Sequence, residues 1–117
     1  MKKILFIDDE QNILDSLKRS LSHHKKWLTL FFAIDYKQGK SILETEDINI
    51  VVADYKMPDR DGLSILKEVK ENYPDIKRVL LTGSPEVEIF EKTDNIIDHL
   101  LSKPSNSKEI TELLKKL

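Results

Sequence analysis

The hydrophobic residues of this chain fall into short runs separated by segments with a different, helical pattern. Five runs are apolar and rich in β-forming side chains, which is typical of strands buried on both faces of a parallel sheet. They lie at Ile4–Ile7, Leu28–Ile34, Ile48–Ala53, Val79–Leu81 and, less clearly, Ile96–Leu101. The pattern predicts a sheet of five strands.

Between the runs, apolar residues recur at the spacing that places them on one face of a helix. The clearest helical segments are Ile13–Leu21, Leu63–Val69 and Ile110–Leu117, and weaker ones cover Lys37–Thr45 and Pro85–Lys92. Asn106 and Glu109 have the spacing of a capping box at the start of the last helix. We therefore predict five helices, one after each strand.

Strands that alternate with helices pair in parallel through right-handed crossovers, so the helices cover both faces of one sheet. We predict an α/β fold: a flavodoxin-like, doubly wound, five-stranded parallel sheet of order 2-1-3-4-5 with five helices, in preference to the other doubly wound strand order. A chain of 117 residues has room for one such domain. We assign residues 1–117 to a single domain and expect no second one.

Composition and charge exclude several functional classes. Nineteen basic and 21 acidic residues give a formal charge of −2, so no overall field attracts the chain to DNA or anionic lipid. The absence of cysteine excludes a disulfide framework and a thiolate metal site. The apolar run after Lys2 and Lys3 stops at Asp8, too early for a signal peptide or a membrane span. We expect a cytoplasmic protein that binds neither nucleic acid nor membrane.

Polar residues that follow the predicted strands are the candidates for chemistry, because ligands of open parallel sheets bind beyond the carboxyl ends of the strands. Strands 1 and 3 are neighbours in the predicted order, so the carboxylates of Asp8, Asp9 and Asp54 should converge. Three such charges require raised pKa values or a divalent cation, and an all-oxygen donor set suits Mg²⁺. Thr82 follows strand 4, and Lys103 follows strand 5.

A metal-bound carboxylate beside a lysine and a hydroxyl suits aspartyl-phosphate chemistry. Asp54 would attack the phosphoryl group, while Mg²⁺ and Lys103 stabilise its oxygens. Thr82 can bond a phosphate oxygen only after phosphorylation, which makes it a candidate switch.

These residues, in this order, resemble the receiver domain of two-component response regulators, of the chemotaxis-regulator type, from Lys2 to Leu117. Each motif is weak alone, but their order and their placement after successive strands are specific. The motifs are Asp8-Asp9, Asp54, Met57-Pro58-Asp59-Arg60-Asp61-Gly62, Leu80-Leu81-Thr82-Gly83 and Lys103-Pro104.

The resemblance implies that Asp54 accepts a phosphoryl group from the phosphohistidine of a histidine kinase or phosphotransfer protein. It implies a magnesium site formed by Asp8, Asp9, Asp54 and the backbone carbonyl of Lys56, with Thr82 and Lys103 assisting. The domain would assist its own phosphorylation and dephosphorylation without being an enzyme in the ordinary sense. It would signal to an output domain outside this chain or to a partner, with a possible homodimer through the fourth helix, fifth strand and fifth helix.

Two positions depart from the family pattern. Leu100 stands three residues before the lysine, where receivers commonly have an aromatic ring that takes part in switching, and Gly83 follows the threonine, where alanine is frequent. The first departure puts aromatic-ring signalling in question. The second bears on the mobility of the loop and on access to the phosphate.

Other interpretations stay open at this stage. A phosphatase of the haloacid-dehalogenase type would carry an acid/base aspartate two residues after its nucleophile, where this chain has Lys56. A pseudo-receiver would only bind partners. Asp8 can simply cap a helix, Asp54 can be a turn carboxylate and Thr82 an ordinary strand residue. We read Asp59 and Asp61 as turn formers, and the side chains of Lys56 and Arg60 as exposed groups that tune access to the site.

Overall fold

A computed structural model of the chain describes residues 2–83, 95–103 and 107–117. Five strands form one parallel sheet of order β2-β1-β3-β4-β5. The predicted strand order is therefore confirmed. The strands are β1 (Lys2–Ile7), β2 (Leu28–Ala33), β3 (Ile50–Asp54), β4 (Lys77–Thr82) and β5 (His99–Ser102).

Four α-helices lie in the described part of the chain, where five were predicted for the whole. They are α1 (Gln11–Ser20), α2 (Tyr36–Thr45), α3 (Gly62–Asn72) and α4 (Ser107–Lys116), with a short 3-10 turn at Ser22–His24. The helix predicted over Pro85–Lys92 lies outside the described residues, and so does Asn106 of the predicted capping box. None of the described helices is long and apolar enough to cross a bilayer.

Alternation along β1 explains why helices cover both faces of the sheet. Ile4 and Phe6 belong to one hydrophobic cluster with the apolar faces of α1 and α4, represented by Leu14 and Leu114. Successive side chains of a strand point to opposite faces. Leu5 accordingly belongs to a second cluster, formed with the apolar residues of α2 and α3. A strand buried on both faces needs an unbroken apolar run, which is the pattern that the sequence shows.

β5 begins at His99, three residues later than the apolar pattern predicted, and both backbone and side-chain bonds join the residues just before it to Arg78. The backbone N–H of Arg78 donates to Oδ2 of Asp98 at 2.8 Å, and its guanidinium Nε donates to the carbonyl of Ile96 at 2.5 Å. Arg78 is buried. A buried arginine thus holds the segment that leads into β5.

Two aspartates that follow strands cap helices and are not part of the acidic cluster. Asp35 accepts the backbone N–H of Gln38 at the start of α2, and Asp61 accepts that of Ser64 at the start of α3, both at 2.8 Å. Such contacts satisfy amide groups that have no partner inside the helix. Asp35, two residues beyond the edge strand β2, therefore has a structural role, as does Asp61.

Candidate functional site

The backbone hydrogen bonds of the sheet continue beyond the strands and fix where the candidate site residues begin. The N–H of Asp8 donates to the carbonyl of Ala33 at 3.0 Å, and the N–H of Lys103 donates to the carbonyl of Thr82 at 2.8 Å. β1 and β3 are direct neighbours in the sheet. The sheet therefore directs the residues that end these strands toward one edge.

Three carboxylates meet at this edge. Asp8, Asp9 and Asp54 each offer an oxygen, and these oxygens all lie within 4.8 Å of one another. Asp8 and Asp54 are only 3% and 5% exposed, whereas Asp9 is exposed to solvent. The cluster therefore holds two buried acidic groups and a third that faces water.

Lys103 brings a positive charge into contact with the cluster. Its Nζ lies 2.8 Å from Oδ1 of Asp54 and 3.5 Å from Oδ2 of Asp8. One ammonium thus contacts two of the three carboxylates, and negative charge stays in excess among these four side chains.

The pKa values of the buried groups follow from this imbalance. Burial raises the pKa of Asp54; the bond to Lys103 opposes the rise, and the charges of Asp9 and Glu10 add to it. Burial likewise raises the pKa of Asp8, although its oxygen accepts the backbone N–H of Glu10 at 2.9 Å. Burial lowers the pKa of Lys103, but the contacts with Asp54 and Asp8 together outweigh this effect, so that its pKa is raised. An additional cation would stabilise the ionised carboxylates.

The donor set fits a magnesium ion. All three side chains offer carboxylate oxygens, two of them are buried, and the local charge is negative. Small hard cations bind such sites through one or a few carboxylates together with water. Asp8, Asp9 and Asp54 are the described side chains that can hold the ion.

A small cavity of about 190 Å³ opens beside Asp54 and Lys103. Its other walls are Glu10, Lys56, Thr82 and Gly83. Thr82 is buried at the end of β4, next to this cavity. A group that enters the cavity would therefore meet the carboxylate of Asp54, the ammonium of Lys103 and the threonine together.

Lys56 lies where two cavities meet. It lines the cavity at Asp54 and also a cavity of about 500 Å³ bounded by Asp9, Tyr55, Met57, Pro58 and Asp61. Its side chain is exposed, as predicted. Lys56 thus borders both the cavity beside Asp54 and the cavity beside Asp9.

Gly62 has a structural role that its place in a predicted turn did not indicate. A Cβ atom at this position would lie 2.2 Å from the backbone oxygen of Asp54 and 3.1 Å from Cδ1 of Leu80. The N–H of Gly62 also donates to the carbonyl of Tyr55 at 2.8 Å. α3 therefore begins in direct contact with the backbone of Asp54, which a larger residue would prevent. The Asp-Gly pair before a helical pattern could have indicated that α3 begins here, but not how close its first residue lies to Asp54.

The prediction that Arg60 is an exposed side chain is wrong. Arg60 is half-buried and extends forward along α3, where its Nε donates to Oγ of Ser64 at 2.9 Å and its Nη2 lies 3.1 Å from Oε1 of Glu68. Spacings of four and eight residues place these partners on the same face of a helix. The sequence therefore contained a signal for this contact.

Comparison with known proteins gives a consistent result. The family model for the response regulator receiver domain matches residues 4–115. The hydrogenase transcriptional regulatory protein HoxA of Cupriavidus necator is 31% identical over 85 residues, which cover 73% of this chain and 17% of HoxA. The transcriptional regulatory protein YesN of Bacillus subtilis is 31% identical over 123 residues, 100% of this chain and 32% of YesN. The chain spans about a third or less of the length of these relatives.

Solved structures share the fold over almost the entire chain. A CheY-like receiver domain protein from Methanospirillum hungatei has a TM-score of 0.89 at 29% identity, covering 99% of this chain and 92% of that one. The response regulator TrrA of Thermotoga maritima, solved in complex with Mg²⁺-BeF, has a TM-score of 0.85 at 28% identity, covering 99% and 98%. The likeness thus includes a protein whose structure holds magnesium.

Proposed function

The chain belongs to the response regulator receiver domain family, and on that premise we propose that Asp54 accepts a phosphoryl group from the phosphohistidine of a histidine kinase or phosphotransfer protein. A carboxylate oxygen of Asp54 forms a bond to phosphorus while the phosphorus–nitrogen bond breaks, and the imidazole leaves with the electron pair. The observation that carries the proposal is the ion pair of 2.8 Å between Lys103 and the buried Asp54, inside a cluster of three carboxylates.

The proposed metal site consists of Asp8, Asp9, Asp54 and the backbone carbonyl of Lys56. Mg²⁺, when bound, supplies positive charge against the oxygens of the transferring phosphoryl group. The all-oxygen set and the excess negative charge support this assignment.

The protein's own side chains position and stabilise the group that is transferred. Asp8 and Asp54 together hold the ammonium of Lys103 at the wall of the cavity, where it can bond phosphoryl oxygens as they gain charge. Asp8 is therefore both a candidate metal ligand and a group that orients Lys103. Burial of Asp54 limits the access of water to the acyl phosphate.

Thr82 is the proposed sensor of the phosphorylated state. It lines the same cavity as Asp54, so its hydroxyl can bond a phosphate oxygen that exists only after transfer. Leu100, half-buried on β5, carries no aromatic ring at the position where the family commonly has one. The switch in this chain therefore depends on Thr82 and on the segment that begins at Gly83.

We assign the output to a covalently attached domain or to a separate partner, since both longer relatives named above are called transcriptional regulatory proteins. The domain acts as a phosphoacceptor, and the cytoplasm is the compartment in which we place it.

Homodimerisation would use β5 and α4 with the helix predicted over Pro85–Lys92, which lies outside the described residues. An unchanged sedimentation coefficient and unchanged partner binding on phosphorylation would argue against that face.

The test is intact-mass analysis after incubation with acetyl phosphate and Mg²⁺. We expect one phosphoryl adduct, about +80 Da for an aspartyl phosphate, that is absent in Asp54→Asn and in the presence of a chelator. An adduct that persists in Asp54→Asn would contradict the assignment. If the wild type shows no adduct, binding of beryllofluoride would indicate rapid hydrolysis or a required donor, and loss of both Mg²⁺ and beryllofluoride binding would indicate a pseudo-receiver.

A further inference from the structure

The loop of residues 55–61, which joins β3 to α3, is held at both ends. The carbonyl of Tyr55, its first residue, accepts the N–H of Gly62 at 2.8 Å. The side chain of Asp61, its last residue, accepts the N–H of Ser64 and so caps α3. Between these ends lies Lys56, the source of one proposed metal ligand. The conformation of the middle of this loop therefore decides where that carbonyl lies.

Arg60 anchors the end of the loop through contacts with α3 and α2. Its Nη2 donates to the carbonyl of Ser64 at 3.1 Å and pairs with Glu68 at 3.1 Å, so it is tied to two successive turns of α3. Its guanidinium also lies 4.8 Å from the centre of the Tyr36 ring. A cation over an aromatic face is attracted to it, and a planar guanidinium stacks well there. Arg60 thus connects the loop both to α3 and to the first residue of α2.

Tyr36 completes a closed set of contacts. Its hydroxyl donates to Oε2 of Glu68, whose other oxygen pairs with Arg60. Burial, and then the contact with Glu68, raises the pKa of Tyr36 well above its usual range, so the hydroxyl remains a donor. The pKa of Glu68 is lowered, first by the bond from Tyr36 and further by Arg60, against a smaller opposing effect of burial. Each of the three side chains therefore bonds or contacts the other two.

These contacts border the candidate metal site. A cavity of about 670 Å³ is lined by Tyr36 and Arg60 of the network, by Asp9 of the acidic cluster, and by Met57 and Pro58 of the loop. Pro58 and Met57 also line the cavity on which Asp9 and Lys56 lie. The loop is thus one wall shared by the network and the site.

We propose that Tyr36, Arg60 and Glu68 form a positioning network that holds the loop of residues 55–61 in the conformation required for magnesium binding. The inference rests on the proposed function, in which the backbone carbonyl of Lys56 is a metal ligand. A loop that is ordered before the metal arrives loses less conformational freedom when it binds, so affinity is higher. Tyr36, on a different strand–helix connection, is then a positioning residue for the site without touching the metal.

The test compares Tyr36→Phe with Tyr73→Phe. Both tyrosines are half-buried beside the same hydrophobic cluster, but Tyr73 is the C-cap of α3 and affects the pKa of Tyr36 less than Glu68 or Arg60 does. We expect Tyr36→Phe to weaken Mg²⁺ binding about threefold to tenfold, less than the loss seen when a direct hydrogen-bond partner of a metal ligand is removed. Tyr73→Phe should leave the Mg²⁺ dissociation constant within a factor of about 1.5 of the wild-type value.

Amide hydrogen exchange of the metal-free protein gives a second readout that does not depend on Mg²⁺. Residues 55–61 should exchange severalfold faster in Tyr36→Phe than in the wild type, while peptides from β1 should be unaffected. A merely structural role would lower the urea midpoint without changing metal affinity in the fully folded protein.

The two failures are distinguishable. If the wild type binds no Mg²⁺, the proposed function fails and this inference fails with it. If the wild type binds Mg²⁺ and accepts the phosphoryl group, but Tyr36→Phe matches Tyr73→Phe in metal affinity and loop exchange, only the positioning network is overturned.

Discussion

Two groups of charged side chains flank the loop of residues 55–61, and they differ in charge balance. The acidic site holds three carboxylates against the single ammonium of Lys103, whereas the network pairs the one carboxylate of Glu68 with the guanidinium of Arg60 and the hydroxyl of Tyr36. The pKa values shift in opposite directions: burial raises that of Asp54, and hydrogen bonding lowers that of Glu68. The network, in which the charges balance, stabilises the native fold. The acidic site, in which they do not, favours the binding of a cation.

Arg78 extends the comparison to a group with no proposed chemistry. It is buried, yet its guanidinium donates to the carbonyls of Ile76 and Ile96 at 2.8 and 2.5 Å and lies near Asp98. A buried charge with satisfied donors is a structural feature. Burial of a charged group alone therefore does not identify the functional site. Burial together with an excess of one sign of charge does.

Lys103→Met should have the largest effect on activity. Removing the ammonium takes away the described cation that contacts Asp54, so we expect phosphorylation by acetyl phosphate to slow by about 10²-fold to 10³-fold, the range for losing one stabilising donor. Intact-mass time courses measure the rate. Lys108→Met, which removes an exposed lysine of α4, is the control, and a Lys103→Met rate within threefold of that control would contradict the role of Lys103.

Gly62→Ala should have the largest effect on stability. The added Cβ would lie 2.2 Å from the carbonyl oxygen of Asp54, so either α3 or β3 must move. We expect a loss of about 2–4 kcal/mol in the free energy of unfolding, measured with urea.

Two other glycines calibrate that result. A Cβ at Gly39 would meet the mobile end of the Ile7 side chain at 2.9 Å, and a Cβ at Gly83 would meet no atom of the described residues within 4 Å. The losses should therefore decrease from Gly62→Ala through Gly39→Ala to Gly83→Ala. Equal losses at Gly62 and Gly83 would show that the close approach to Asp54 is not the cause.

Asp8→Asn should stabilise the metal-free protein. A raised pKa means that the folded state favours the neutral form of Asp8, so stabilisation by protonation is present at low pH and is lost as the pH rises through 3.8, the unfolded value, and then through the higher folded value. An asparagine retains the neutral form and can still accept the N–H of Glu10. We expect a gain of about 1 kcal/mol at neutral pH.

The gain should disappear when Mg²⁺ is added, because the wild type then recovers the stabilisation that metal binding provides. Asp47→Asn, at an exposed carboxylate, should have almost no effect in either condition. A loss of stability in metal-free Asp8→Asn would mean that its contact with Lys103 outweighs its burial.

Glu68→Gln should have the smallest effect on the free energy of unfolding, and it should lower stability where Asp8→Asn raises it. The lowered pKa of Glu68 means that its ionised form stabilises the fold above the unfolded value of 4.5, and that this contribution is lost as the pH falls through the lower folded value. Because the ion pair is partly exposed, we expect a loss of about 0.5 kcal/mol at neutral pH. Parallel urea titrations of wild type and variant should converge below pH 4.5, and a difference that does not depend on pH would exclude an ionic origin.

The sequence predicted the elements that depend on local patterns. The apolar run of β1 indicated a strand buried on both faces, and residues at strand ends indicated which side chains share one edge. The strand order followed from general rules of parallel connections. These features required no knowledge of long-range side-chain contacts.

Features that depend on tertiary contacts were missed or misplaced. The segment before β5 is held by a side-chain bond from Arg78 across the chain, and the half-buried Arg60 contacts Tyr36, which lies on another connection. The approach of Gly62 to Asp54 is a matter of packing distance. No period or motif in the sequence encodes such distances.

The central claim is that the unbalanced acidic site directs a phosphoryl group to Asp54, and borohydride trapping tests it most directly. Borohydride reduces an acyl phosphate to an alcohol, so a phosphorylated aspartate becomes homoserine, which peptide mass spectrometry can locate. After treatment with acetyl phosphate and Mg²⁺, we predict homoserine at residue 54 alone, and none when a chelator is present. Homoserine at Asp8 or Asp9, or its formation without Mg²⁺, would contradict the account.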